Sequence, residues 1–177
     1  MKKNILAISG STRLHSTNLN VIHAFVGLTK DIFNVEVFVG ISDLPHFNPD
    51  LDNDTVSNHV SDFRELIRNA DGVLICTPEY AMGVPGTLKN AIDWTVSSSE
   101  FNKKPTALIT ASTMGQRGHD SLLETLKIID ATISNETQLL ISLAKTKITS
   151  ENKIINEETF IEMQQLISAF DIIISSK

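Results

Sequence analysis

An open α/β sheet with every strand parallel and helices on both faces is the fold this sequence predicts, and three observations predict it. Short apolar runs at Ile5-Leu-Ala-Ile8, Val73-Leu-Ile-Cys-Thr77 and Thr106 to Ala111 lack polar alternation, as expected of strands covered on both faces. Each run breaks into a loop rich in glycine, proline or hydroxyls, and helical apolar spacing follows. The alternation recurs through five strand-like segments, which implies right-handed crossovers.

Taken in order, the first strand ends at Gly10, which frees the backbone for a tight turn. The first helix, about Ser16 to Thr29, starts among capping residues and repeats Leu19, Ile22 and Val26 at helical spacing. Val35-Glu-Val-Phe-Val39 alternates and is rich in β-branched residues, a second strand. The stretch from Ser42 to Asn58 is the longest irregular segment. Its Asp50, Asp52 and Asp54 lack the glycine and terminal glutamate of a calcium loop, so it reads as a solvated loop. Phe63, Leu66 and Ile67 mark a helix that stops near Asp71-Gly72, before the third strand. The loop Pro78 to Gly86 leads to a helix through Leu88, Ala91, Ile92 and Thr95. After the fourth strand come the loop Ser112 to Gly118 and a helix through Leu122, Leu126 and Ile129. Glu136 to Leu143 reads as the fifth strand. The last helix carries the stripe Phe160, Met163, Ile167, Phe170 and Ile174, with Asn156-Glu-Glu158 capping its first turn. A strand order of 2-1-3-4-5 sets the first, third and fourth strands side by side. Ligands of such sheets bind beyond the carboxyl ends of the strands, so three loops converge on one cleft.

At 177 residues and 19.5 kDa the chain has the length of a single domain spanning 1–177. A net charge of -6 and a pI near 5.3 exclude a broad nucleic-acid or anionic-membrane surface. One cysteine rules out an internal disulfide framework, and no apolar run has the length of a signal peptide or membrane span; the expectation is a soluble, cytoplasmic protein. No histidine, cysteine or carboxylate spacing suggests a metal, and His15 and His119 read as bystanders.

The loop after the first strand has neither the glycines of a dinucleotide fingerprint nor the Gly-Lys-Ser/Thr of a nucleoside-triphosphate loop. Its Ser11, Thr12, Ser16, Thr17 and Asn18 suit a helix cap. Arg13, which a cap does not need, suits a phosphate monoester with close to two negative charges.

Two stretches carry a family resemblance. Thr77-Pro-Glu-Tyr-Ala-Met-Gly-Val-Pro-Gly-Thr-Leu-Lys-Asn-Ala-Ile-Asp-Trp94 is similar to P-E-Y-N followed by P-G-x-L-K-N-A-I-D-W. Gly10-Ser-Thr-Arg-Leu-His-Ser-Thr-Asn18 is similar to G-S-x-R-x-x-S-x-N, and Ser112 with Gly115 and Gly118 adds a weaker third match. Over nearly its whole length the chain resembles the NAD(P)H-dependent FMN reductases of the flavodoxin-like class, which include quinone, chromate and azo-dye reductases.

The resemblance implies a flavodoxin-like three-layer sandwich that binds FMN and uses NADPH or NADH as co-substrate. Ser11, Arg13, Ser16, Thr17 and Asn18 then fall at the flavin phosphate, Pro78, Glu79 and Tyr80 along the ring and ribityl, and Ser112 and Gly115 on the other side. Ala81 stands where the family usually has asparagine, and Met82 beside it offers adaptable apolar surface. The implied chemistry lies at the flavin N5, with no catalytic protein residue. The implied partners are a small-molecule electron acceptor and further copies of the chain in a homodimer or homotetramer, with no nucleic acid and no membrane insertion. A flavodoxin-like carrier of single electrons is the alternative, disfavoured by one Trp and one Tyr where carriers flank the ring with aromatics. Glu79 has two readings, a general base or a residue that acts only through its backbone in a tight turn; Lys89 and Asp93 are expected to form a surface ion pair, and Trp94 to pack, with a subunit interface as its other reading.

Overall fold

The structure is a computed structural model describing residues 1–176. Five parallel strands form one sheet in the order β2-β1-β3-β4-β5: β1 Lys3–Ser9, β2 Phe33–Phe38, β3 Gly72–Thr77, β4 Thr106–Ala111 and β5 Gln138–Ile141. The predicted fold and strand order are observed. The helices are α1 Thr17–Thr29, α2 Asn58–Asn69, α3 Gly86–Asp93, α4 Gln116–Ile128, the single turn α5 Ala144–Lys147, and α6 Glu157–Ser175. Among the described residues no helix is long and apolar enough to cross a membrane.

The continuous apolar strands divide their side chains between two cores by the period-2 geometry of a strand. Ile5, Ala7, Leu74, Cys76, Ala107 and Ile109 face α1 and α6 through Val21, Ile22, Phe25, Met163 and Phe170. Leu6, Ile8, Val73, Ile75 and Leu108 face α2, α3 and α4 through Val60, Phe63, Leu88, Ile92 and Leu122. Two boundaries shift. β2 begins at Phe33, whose buried ring stacks on Phe25 at 6.2 Å and meets Phe170 edge-on at 5.9 Å. β5 has four residues, because Asn135–Thr137 forms a 3-10 turn and Leu143 enters the left-handed region at φ 53°.

The stretch between β2 and α2 is mostly exposed, with Asp50 and Asp54 in solvent as expected, but Asp52 departs from the solvated reading. Asp52 and Arg64 are paired at 2.7 Å with only 9% of each side chain exposed. Arg64 Nε also donates to the Trp94 carbonyl at 2.7 Å, and Ser97 Oγ donates to Asp52. Burial works to raise the Asp52 pKa, but the hydrogen bonds from Ser97 and Arg64 and the Arg64 charge outweigh it and hold it below its ordinary value. The stabilisation is therefore complete above the ordinary carboxylate range and is lost as pH falls through the lowered value. Trp94 is 1% exposed within one chain, donates Nε1–H to the Pro45 carbonyl at 2.8 Å and meets Phe47 edge-on at 5.0 Å. It pins this loop to the core, which corrects the interface reading. Lys89 and Asp93 form the expected i,i+4 pair.

Candidate functional site

Beyond the carboxyl ends of β1, β3 and β4 lies a cleft of about 280 Å³. Its first wall is the β1–α1 loop. Gly10 N–H donates to the Cys76 carbonyl at 2.8 Å, drawing the loop so close to β3 that a Cβ on Gly10 would stand 2.5 Å from Thr77 Oγ1. Ser16 caps α1, its Oγ accepting from Asn18 N–H at 3.1 Å and Leu19 N–H at 3.4 Å. Ser11 Oγ accepts from Arg13 N–H at 3.4 Å. Among the described residues, the backbone N–H groups of Thr12, Leu14, His15, Ser16 and Thr17 have no partner, and Arg13 is exposed without an ion pair. Together they make a cradle of positive partial and full charge at a helix start. Asn18 serves differently: it is buried, its Nδ2 donates to the Ala111 carbonyl at 3.1 Å and its Oδ1 accepts from Cys76 Sγ at 3.4 Å. It ties α1 to the ends of β3 and β4.

The β3–α3 loop builds the second wall. Pro78 is buried, and Tyr80 to Gly83 close a two-residue turn with reciprocal bonds, Tyr80 N–H to Gly83 O at 3.0 Å and Gly83 N–H to Tyr80 O at 2.9 Å. Ala81 (φ 49°) and Met82 (φ 61°) are both left-handed, the backbone of a type I′ turn. Asparagine adopts that conformation at less cost than alanine, which gives a backbone reason for the asparagine that the resemblance sets at this position. Ala81→Asn is expected to stabilise the fold by ~0.5–1 kcal/mol, measured as a higher urea midpoint with an unchanged slope. A midpoint at or below that of the parent would mean that this turn is unstrained.

Glu79 overturns the backbone-only reading. Its carboxylate accepts from Gly115 N–H at 3.3 Å and Gly118 N–H at 2.7 Å, bridging the second wall to the start of α4. The charge sits where the helix dipole and unpaired N–H groups favour an anion. Gly118 is required by this contact, since a Cβ there would meet Glu79 Cβ at 3.2 Å and the Gly83 carbonyl at 3.1 Å. Gly115 has φ 96°, and a Cβ on it would stand 2.8 Å from Leu140.

The β4–α4 loop, from Ser112, is the third wall, and behind it His119 is buried, not a bystander. Gln138 Nε2 donates to the Ser134 carbonyl at 2.7 Å, which turns its Oε1 toward the ring to accept His119 Nε2–H at 3.4 Å; His119 Nδ1 then accepts the Thr110 hydroxyl at 2.9 Å. Burial holds the His119 pKa below its ordinary value against the opposing Gln138 bond and Asp120 charge. The neutral ring fastens α4 to β4 and β5.

The cleft brings together Ser11, Arg13, Ser16, Thr17, Asn18, Pro78, Glu79, Tyr80 and Ser112 of the residues singled out from sequence. Ala81 and Met82 lie at the exposed turn tip and Gly115 behind the wall, outside the lining. Unforeseen are Ala111, Thr113 and a fourth wall, Leu143 to Thr146, after β5. No sequence motif marks that segment; its place follows from hydrogen bonds of Leu143 N–H to Thr113 O at 3.1 Å and Ala144 N–H to Ser112 O at 3.0 Å. Trp94 in the core leaves Tyr80 as the aromatic residue of the cleft. No group of three or more metal-ligating side chains occurs among the described residues.

Residues 3–146 match the family model described as NADPH-dependent FMN reductase. An NAD(P)H-dependent FMN reductase of Pseudomonas aeruginosa is 33% identical over 95% of this chain and 93% of its own length. A 2-hydroxy-1,4-benzoquinone reductase of a Burkholderia species is 32% identical, with 90% of this chain and 89% of that protein covered. Among solved structures, the flavoenzyme NAD(P)H:(acceptor) oxidoreductase FerB from Paracoccus denitrificans superposes with a TM-score of 0.81 at 25% identity, over 98% of both chains.

Proposed function

From the premise that the chain belongs to the NADPH-dependent FMN reductase family, we propose that it binds FMN in this cleft and passes reducing equivalents from NAD(P)H to a small planar acceptor, a quinone being the best fit. The observation that carries the proposal is the first wall, where five unpaired N–H groups, the Ser11 hydroxyl and the Arg13 guanidinium suit a phosphate monoester. FMN, when bound, supplies the hydride chemistry at its N5. The chain's own residues bind and orient. Ser11, Arg13, Ser16 and Thr17 hold the phosphate, Asn18 keeps α1 against the strand ends, and Pro78, Glu79 and Tyr80 with Ser112 bound the ring. Tyr80, Met82, Met114 and Leu143 are each more than half exposed on loops around the cleft and offer apolar surface to an aromatic acceptor. A carrier that shields its flavin between aromatics is disfavoured by the buried Trp94. We assign the protein to the cytoplasm, acting as a homodimer or homotetramer.

The test is the spectrum of the purified protein and its response to NADH or NADPH. A yellow protein that prefers FMN over riboflavin and bleaches anaerobically without a partner protein is expected; failure to bind FMN removes the proposal. Arg13→Ala should weaken FMN by ~10- to 100-fold, as expected for charge-assisted bonds of about 1.5–3 kcal/mol, and leave riboflavin unchanged. Equal FMN affinity would return Arg13 to the surface.

Hydride transfer requires reacting atoms about 3–3.5 Å apart, so nicotinamide and a flat acceptor compete for one open face. Turnover is therefore ping-pong, with NAD(P)+ leaving before the acceptor enters. Double-reciprocal plots at several NADPH concentrations should be parallel, and intersecting lines with a demonstrated ternary complex would refute the shared face.

A further inference from the structure

The fourth wall carries a cation that neither the motifs nor the first wall accounts for. Lys145 lies on α5, lines the cleft, is exposed and has no acidic partner among the described residues. Its position is braced from both sides. The bonds of Leu143 and Ala144 to the Thr113 and Ser112 carbonyls fasten the segment to the third wall, and Ser142 Oγ donates to the Met114 carbonyl at 3.0 Å. On the other side Asn20 Nδ2, one turn into α1, donates to the Thr149 carbonyl at 3.2 Å.

Charge within the cleft is one-sided. The carboxylate lining it, Glu79, is committed to Gly115 and Gly118, which fills the anion seat at α4 with an internal anion. At the start of α4 the Glu79 carboxylate takes the N–H groups of Gly115 and Gly118, whereas the cradle before α1 holds no internal anion, and the two cations that line the cleft, Arg13 and Lys145, neither with an acidic partner among the described residues, belong to walls joined to α1. In a chain of net charge -6, a ligand phosphate with close to two negative charges meets diffuse repulsion, which two local cations offset better than one.

Resting on the reading above that FMN occupies this cleft, we propose that Lys145 is the second cation of the flavin phosphate seat, acting with Arg13 to make the site select a phosphorylated flavin. Arg13 supplies a planar fork of donors and Lys145 a mobile point charge, so the two engage different phosphate oxygens.

The test is flavin binding by fluorescence titration with the parent protein, Lys145→Gln and Lys145→Arg, each with FMN and with riboflavin over a range of ionic strength. Lys145→Gln should weaken FMN about tenfold, leave riboflavin unchanged and make the FMN affinity less sensitive to salt, while Lys145→Arg restores most of it. Unchanged FMN affinity in Lys145→Gln overturns the proposal, and a raised KM for NADPH alone in that variant would reassign the lysine to the nicotinamide co-substrate. Equal weakening of FMN and riboflavin also overturns it, reducing Lys145 to support of the wall. If the parent protein binds neither flavin, the failure lies with the FMN reading itself.

Discussion

Gly10→Ala is expected to lower stability by about 3 kcal/mol and to abolish measurable FMN binding, the largest loss expected from any single methyl group in this chain. The new Cβ would stand 2.5 Å from Thr77 Oγ1, 2.7 Å from Thr77 Cβ and 2.9 Å from Leu88 Cδ2. Both neighbours are side chains held by burial: Thr77 closes β3 with its hydroxyl donated to the Pro78 carbonyl, and Leu88 is buried in α3. Relief requires β1 to part from β3 where Gly10 N–H meets the Cys76 carbonyl, and the cradle is built directly on that junction. Urea unfolding and FMN titration measure the two effects together. A variant with the parent midpoint and parent affinity would show that the β1 exit can shift by several tenths of an ångström at no cost.

Glu79→Ala has the second-largest expected effect. It deletes two charge-assisted hydrogen bonds, leaves the N–H groups of Gly115 and Gly118 to water, and removes an anion from the positive end of α4. A loss of roughly 2–3 kcal/mol in stability and at least tenfold in FMN affinity should follow, since the second and third walls would no longer be held at a fixed spacing. Glu79→Gln should fall between, because one neutral amide oxygen replaces two anionic acceptors. Faster amide exchange at Gly115 and Gly118 in Glu79→Ala would locate the effect at the bridge. Parent-like affinity with slow exchange would mean that the α4 start holds its own geometry.

Both positions clarify what could be read in advance. Strand order was legible because apolar runs and crossovers are local patterns that leave few topologies, and the family motifs at Gly10 to Asn18 and Thr77 to Trp94 located two walls. The cleft residues from Ser11 to Asn18 and from Pro78 to Tyr80 follow from those motifs. Glu79 was misjudged because its partners lie 36 and 39 positions away, and no periodicity records a carboxylate capping another element's helix. Asp52 and His119 were misread for the same reason, while the packing expected of Trp94 is observed. Both misread residues are fixed by contacts with a distant element, while local composition alone suggested solvent and a bystander. Lys145 escaped notice because it sits on a four-residue helix after a four-residue strand, too short for a pattern.

Cys76 has no part in the cleft's walls, yet its setting matters for an enzyme proposed to handle quinones, which are electrophiles that alkylate thiolates. It is the chain's sole cysteine, is fully buried in β3, and donates its Sγ–H to Asn18 Oδ1. Burial raises its pKa far above that of a free thiol, so the nucleophilic form is scarce as well as out of reach. The chain thus presents no surface sulfhydryl for a Michael acceptor to arylate, and its one thiol stays out of reach for as long as the central sheet is closed.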